Sequence, residues 1–383
     1  MLSLPLSSPS ARRCRAAFTL VEIMVSLAVL AVMLLVLANV TDQTSRIWRG
    51  TRGKIEAFQG ARAAFETITQ TLSQATLNTY YEYFNNANPP VPLQYYVTVN
   101  GPTSTQVKTF QPETYDRYSE LHFLSGPAST ILSGLTRSSD GKAYTAITSG
   151  HAVFFQAPLG FTQDANARQL ESVLNGVGYF VEFGSDADQI PDFVASTIKP
   201  RFRYRLMQYQ QPSESLGVYR ENWKSRTTGQ KAGWFGTPLA GTGRPAYVVA
   251  ENVLLLLLRP KRSDKEYENN TTLKPLAPNY LYDSQPNPYS AADINRYQLP
   301  PLIEVTIVAI DEASAMRLEA KYGTSPPLQT LAPGLFTTTA DTNDRTKFDQ
   351  DMQTLEQTLT AQRINYRIFN TEVMIRSSKW SEN

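Results

Sequence analysis

From Phe18 to Val40 the chain reads FTLVEIMVSLAVLAVMLLVLANV, and its only ionisable group is Glu22. A helix needs about 20 apolar residues to cross the hydrocarbon of a bilayer. The run meets that length and exceeds the roughly 7–15-residue apolar core of a secretory signal. Asn39-Val40-Thr41-Asp42, just after it, is not a small-x-small cleavage site. The segment therefore reads as a retained membrane helix. Arg12, Arg13 and Arg15 stand before it, so the order is basic, small, apolar.

Glu22 constrains the reading further. A carboxylate placed centrally in a membrane helix costs at least about 2–3 kcal/mol. It is tolerated near the interface or beside a partner. Glu22 lies one helical turn after Phe18, so both conditions can hold. If the chain began at Phe18, a new α-amino group would sit at the membrane surface. Glu22 of one subunit could then pair with the amine of a neighbour.

Ala17-Phe18-Thr19-Leu20-Val21-Glu22 resembles the cleavage and methylation motif of type IV prepilins: a small residue, then Phe, then a short apolar stretch with Glu at the fifth mature position. The resemblance implies that a prepilin peptidase cuts between Ala17 and Phe18. It implies that Phe18 becomes the N-methylated first residue and that Glu22 guides docking into a filament. The family usually has Gly before the cut, where this chain has Ala17. The simpler alternative is a plain signal anchor.

Charge does not orient the span. Arg12, Arg13 and Arg15 precede it, and Arg46, Arg49, Arg52 and Lys54 follow within the range that counts. A head outside the cytoplasm rests on the motif alone. The net charge of +2, which becomes −1 when the three leader arginines are removed, argues against a nucleic-acid binder. Cys14 is the only cysteine, so everything after it lacks disulfides and thiolate metal ligands. A lipoprotein cysteine would follow the apolar run, whereas Cys14 precedes it.

Behind the span, Ile55, Phe58, Phe65, Ile68, Leu72 and Ala75 keep a helical period, with Ala61 filling the gap. This predicts one long helix from about Phe18 to about Leu77, loosened near Gly50–Gly53. The rival is an anchor, a linker and a separate amphipathic helix. Strand candidates are Leu93–Val99, Ala152–Gln156, Val177–Phe183, Arg201–Tyr209, Leu302–Ile310 and Asn365–Arg376. In Arg201–Tyr209, Phe202, Tyr204 and Leu206 alternate with Arg201, Arg203 and Arg205, which suggests a solvated basic face or an anion site. Val248–Arg259 reads as a buried central strand, or a helix passing into one. Asp311–Tyr322 reads as a helix capped by Asp311, and Phe348, Met352, Leu355 and Leu359 mark another. Lys261–Pro300 and Thr324–Asp344 read as surface loops.

Two branches of the prepilin-like group share further features. Gly178–Asp186, Arg203–Met207 and Val308–Ala315 resemble the Verru_Chthon cassette protein C family. That implies an envelope protein found in a set with other prepilin-like proteins, and no known reaction. A looser resemblance, carried by Leu299–Thr306, is to the minor pseudopilin J of type II secretion.

The sequence offers little catalytic chemistry. His122 and His151 are the only histidines and stand in no metal spacing. Asp186, Asp188 and Asp192 in GSDADQIPD can offer oxygens to calcium, which minor pseudopilins sometimes bind. The loop lacks EF-hand spacing, so a solvated loop is the simpler reading. Asp341, Asp344, Asp349 and Asp351 form a second acidic patch. Neither Gly-x-Ser-x-Gly nor a phosphate-cradling Gly-Lys-Ser/Thr loop occurs.

The expected fold is α+β: a long N-terminal hydrophobic helix packed, as a pilin-like spine, on a mainly antiparallel head with additional helices and long loops. Residues 1–17 would be the leader, 18–40 the transmembrane and assembly helix, 41–84 its amphipathic continuation and 85–383 the head. The expected protein is a non-enzymatic minor pilin or pseudopilin of a type IV pilus or type II secretion-like filament. It needs no cofactor. It sits in the bacterial inner membrane with its head in the periplasm, and its partners are prepilin peptidase, like subunits and lipid. The alternative is a displayed module that recognises a surface, a carbohydrate or a secreted protein through Tyr80-Tyr81-Glu82-Tyr83-Phe84. A tethered enzyme comes third.

Overall fold

From Leu20 the apolar run, and the stripe behind it as far as Leu72, are one helix, α1 (Leu20–Ser73), in a computed structural model. The structure describes residues 20–84, 113–167, 170–187, 190–191, 193–194, 196–220, 233–262, 276–285, 294–337 and 344–380. The strand candidate Leu93–Val99 lies outside them. The chain divides after Gly53 into two units. In the first, α1 is exposed on every side from Leu20 to Val40. In the second, α1 buries one stripe: Ala61, Ala64, Ile68 and Leu72 are core residues. The backbone at Gly50–Gly53, expected to loosen, is helical.

The helix stops before the expected Leu77. Gln74 N–H and Ala75 N–H bond three residues back, a tightened last turn, and Asn78 takes a positive φ of 47°. Residues 80–84 are thus not the end of the spine. They form β1 (Tyr80–Phe84), paired antiparallel with β2 (Thr114–Tyr118). Aromatic side chains fit a pleated surface better than a helix here.

Two larger sheets build the rest. β3 (Leu124–Pro127), β4 (Thr148–Pro158), β5 (Leu174–Ser185), β6 (Phe202–Gln211), β7 (Ala246–Glu251) and β9 (Tyr282–Asp283) form one, in the order β7-β6-β5-β4-β3-β9. β8 (Val253–Lys261), β10 (Leu302–Ile310) and β11 (Tyr366–Met374) form the other, in the order β11-β10-β8. Every pairing in both is antiparallel. The class is α+β, with α2 (Gly233–Ala240), α3 (Glu312–Tyr322), α4 (Pro327–Leu331) and α5 (Asp344–Ala361) added.

Val248–Arg259, expected as one element, is two strands in two sheets. The break is Asn252, at φ 61°, a conformation that asparagine tolerates better than β-branched residues. Its N–H bonds Tyr204 O at 2.8 Å and its carbonyl accepts from Ile310 N at 2.9 Å, so one residue ties β6 to β10. The apolar leucines then enter the second sheet, where Leu254, Leu256 and Leu258 are fully buried.

Both faces of the second sheet are covered. Phe65 of α1 meets Phe369 of β11 on one side, ring centroids 6.0 Å apart. On the other, Arg259 of β8 lies over Phe348 of α5. The free edge of β8 abuts β4 so closely that a Cβ on Gly150 would stand 2.5 Å from Leu256 O; Gly150 also has φ +66°. Only glycine fits both demands. Flanking Gly150, Ser149 Oγ donates to Leu254 O at 2.6 Å, and Leu258 N–H donates to His151 Nδ1 at 2.9 Å. Those bonds occupy edge groups of β8 that a strand would otherwise take.

The two expected loops are only partly surface. Within 261–300, Tyr280 and Tyr282 are fully buried and β9 extends the first sheet. Within 324–344, α4 forms and Phe336 is buried, its N–H held by Asp351 Oδ2 at 2.9 Å. Tyrosines and phenylalanines inside these proline-rich stretches bury more apolar area than a solvated loop would leave exposed.

Candidate functional site

The N-terminal helix carries the strongest functional signal. Leu20–Ser45 is long and apolar enough to cross a membrane, and none of it is buried within the chain. Thirteen Leu, Ile and Val residues fall between Leu20 and Val40. At about 0.3–0.6 kcal/mol each, they favour insertion by roughly 4–8 kcal/mol. That outweighs one carboxylate near the end of the span, whose central cost is about 2–3 kcal/mol. The hydroxyls are accommodated as lipid requires. Ser26 Oγ donates to Glu22 O at 2.7 Å and Thr41 Oγ1 to Leu37 O at 2.8 Å, each one turn back. Glu22 sits in the first turn of α1, where the helix dipole favours an acid. Ala17 and Phe18 lie outside the described residues.

Of the calcium candidates, Asp186 alone lies among the described residues. Asp186 is buried, and both its carboxylate oxygens face Arg201: Oδ1 accepts from the backbone N–H at 2.6 Å and Oδ2 from Nε at 2.9 Å. Burial opposes its charge, but these bonds outweigh it and hold the carboxyl below the usual range. An aspartate so engaged is a partner for arginine rather than a spare ligand. Asp188 and Asp192 lie outside the described residues, as does Asp341. Among the described residues no three His, Cys, Asp or Glu side chains gather as a cation site. Asp351, from the second acidic patch, is buried and bonded to Lys347 and Phe336 N–H.

The predicted basic face is solvated only at Arg201, just before β6, which is exposed. Arg203 and Arg205 are buried. Arg203 reaches Glu312 at 2.9 Å and also pairs with Glu319, both on α3. Burial opposes the charge of Glu319, yet Arg203 and the Phe202 N–H hold its carboxyl below the usual range. Arg205 Nη2 donates to Gly184 O at 2.8 Å, and burial lowers its guanidinium. Next to it in register, Glu182 of β5 receives Arg244 through two bonds, at 2.6 and 2.7 Å, and Arg137 at 3.3 Å. Arg203 and Arg205, expected on a wet surface, are instead bolts between elements. Glu182 was missed: it is the lone acid in VGYFVEF and stands opposite Arg205, but the arginines that bond it, Arg137 and Arg244, are remote in sequence.

The histidines are structural as well. His151 is fully buried, accepting from Leu258 N–H and meeting Phe336 O at 2.8 Å through Nε2. Burial drives its pKa down to about 4, so it is neutral at pH 7. His122 Nε2 lies 2.7 Å from Asp283 Oδ1, while Trp234 Nε1 donates to Nδ1 at 3.4 Å. Both ring nitrogens of His122 are thus engaged by neighbours inside the head. A cavity of about 270 Å³ lies beside Thr148, Ser149, Leu255, Leu328, Phe336 and Leu355, and neither acid nor histidine lines it.

The aromatic segment divides by face. Phe84 is buried with Tyr118 and Tyr297. Tyr81, Tyr83 and Tyr115 are exposed and lie against one another, at 5.3 Å for Tyr81–Tyr115 and 4.9 Å for Tyr83–Tyr115.

Compared with known proteins, residues 12–38 match the Prokaryotic N-terminal methylation motif. No curated protein and no solved structure matches the chain. The matched stretch takes in the basic residues, Ala17-Phe18, Glu22 and most of the apolar run. The N-terminal segment is therefore prepilin-like, and with one membrane-length apolar helix among the described residues the chain fits a membrane-anchored subunit.

Proposed function

We propose that this chain is a structural subunit, a minor pilin or pseudopilin, of a type IV pilus or type II secretion-like filament. The observation that carries the reading is the methylation motif running directly into an exposed apolar helix. Prepilin peptidase cuts after Ala17, and Phe18 becomes the methylated N-terminus. The helix then leaves lipid for a bundle of like helices. Glu22 meets the new amine of a neighbouring subunit and fixes the axial register. The head lies in the periplasm and catalyses nothing. Its size favours a place at a tip or a starting point of the filament. The likeness of Gly178–Asp186 and Val308–Ala315 to cassette protein C supports a role in a set of prepilin-like proteins.

Mass analysis of the mature N-terminus, with and without prepilin peptidase, tests the reading. A methylated Phe18 that depends on the peptidase is expected. A chain that keeps Met1, or is cut after Asn39, rejects it. Glu22→Ala is expected to insert normally and to lose co-assembly with partner pilins.

The exposed tyrosines favour one second reading, a displayed binding face at Tyr81, Tyr83 and Tyr115. Replacing all three with Ser should then abolish adhesion while leaving the yield of filaments unchanged.

A further inference from the structure

The two large sheets have four outer edges, and three are protected. β9 is two residues long. β7 is six residues long, and its pairing with β6 is broken by a register shift at Leu206/Met207. β8 is closed by Ser149 and His151 from β4. Short strands, irregularities and covered edges are the usual defences against edge-to-edge pairing. β11 has none of them. Its nine residues pair with β10 without a shift and contain neither Pro nor Lys. Among the described residues no other strand lies on its outer side. Met374 is 67% exposed, and Ile368 and Phe369 are partly exposed.

We propose that the outer edge of β11 pairs with β11 of a second copy of this chain, antiparallel and centred on Thr371. The sequence of the strand selects that occupant. A two-fold axis through paired edge strands stands normal to the sheet. It keeps even-numbered side chains on the same face in both copies, so only residues of equal parity can face each other. Centring on Thr371 sets Ile368 opposite Met374, Phe369 opposite Val373 and Asn370 opposite Glu372. Apolar meets apolar in two of these pairs; in the third, Asn370 donates to Glu304 and Thr306 and Glu372 pairs with Lys261 within the chain, so no like charges are brought together. Centring on Asn370 would set Ile368 against Glu372 and Arg367 against Val373. Centring on Glu372 would oppose two like charges. A seven-residue strand pair is small for a stable interface, so the dimer should dissociate on dilution. Confinement to a membrane would raise its effective concentration. The inference does not depend on how the N-terminus is processed.

The test uses the full chain in mild detergent with Cys14→Ser, which removes the only cysteine. Thr371→Cys under mild oxidation should give a disulfide-linked dimer, because directly opposed Cβ atoms lie within disulfide reach. Asn370→Cys, whose counterpart is displaced along the strand, should cross-link at least about ten-fold less by the same distance argument. Thr371→Lys, which places two cations face to face, should shift sedimentation to monomer with an unchanged circular dichroism spectrum. Equal cross-linking at 370 and 371 would mean random collision and overturn the proposal. So would no cross-link at 371, or a dimer that survives Thr371→Lys, which must form through another surface.

Discussion

Leu30 and Leu256 are the same side chain in opposite surroundings. Leu30, in the first unit, is 52% exposed, and Leu256, in the second, is fully buried. The Leu20–Val40 stretch is apolar on every face, whereas the head hides its apolar faces between sheets and helices. A helix that is hydrophobic all round needs a surrounding that is not water. In the head the same side chains stabilise by leaving water, at roughly 25 cal/mol per Å². One physical effect thus writes two different patterns, and the pattern tells which solvent a segment is built for. The comparison makes graded predictions, because each perturbation should act on one unit and not the other.

The largest effect belongs to the aromatic centre of the first sheet. Phe154 stacks on Phe235 with ring centroids 3.8 Å apart and meets Tyr209 and Trp234 edge-on. Phe154→Ala should cost about 3–5 kcal/mol, the usual penalty for emptying such a site. Denaturant unfolding followed by tryptophan fluorescence would measure it. A loss under about 1 kcal/mol would mean that the head does not depend on this cluster as its burial implies.

Next comes pH. His151 is held at about 4 in the folded head, chiefly by burial, against 6.5 for an ordinary imidazole. As pH falls below 6.5 the unfolded chain takes up this proton first. Stability present above pH 6.5 is therefore lost on the way down to about 4, by about 3 kcal/mol in all. Aspartates and glutamates protonate near the lower end, so the slope must be compared with that of His151→Gln. The variant should lose most of the pH dependence between 6.5 and 5. If both proteins show the same slope, His151 is not the group responsible.

A smaller effect is expected at the joint between β6 and α3. Arg203→Leu removes a buried guanidinium from Glu312 and Glu319. Those carboxylates are partly exposed and can rehydrate, so the loss should be nearer about 2 kcal/mol than the larger cost of stranding a fully buried charge. Chemical denaturation reads it directly, and 1 M salt should shrink the difference only modestly.

These residues also show what could be read in advance. Local pattern and capping found the strands at 152–156, 177–183, 302–310 and 365–376, the helical spine, and the helix after Asp311, whose carboxylate accepts from Ser314 N–H at 2.9 Å. Such features depend on neighbours in the chain. The errors came where the deciding partner is remote. Alternation placed Arg203 and Arg205 on the face opposite Phe202, Tyr204 and Leu206, but could not reveal that α3 packs there against Arg203 or that Arg205 is buried beside Glu182. Five leucines announced burial, but not the change of sheet at Asn252. Asp186 was read most simply as part of a solvated loop, and its remote partner Arg201, which engages both its oxygens, was not foreseen. At the N-terminus, by contrast, motif, charge order and apolar length lie within one short stretch, which is why the candidate site was legible without a fold.

The smallest expected effect is the sharpest check on the division itself. Leu30→Ala and Leu256→Ala delete the same atoms. In the head the change leaves a cavity in the core, because the Leu256 side chain is fully buried on the face of the second sheet that carries Ile307 and Phe369. The cost there should be about 2–5 kcal/mol. In the apolar helix the removed atoms touch no other part of the chain described here, so the unfolding midpoint of the head should move by less than about 0.5 kcal/mol. The helix substitution should be felt only as weaker insertion, by a few tenths of a kcal/mol on the scale for single residues. If Leu30→Ala lowers the stability of the head by more than that limit, the two units are coupled, and the exposed helix owes part of its order to the head rather than to lipid or to neighbouring helices.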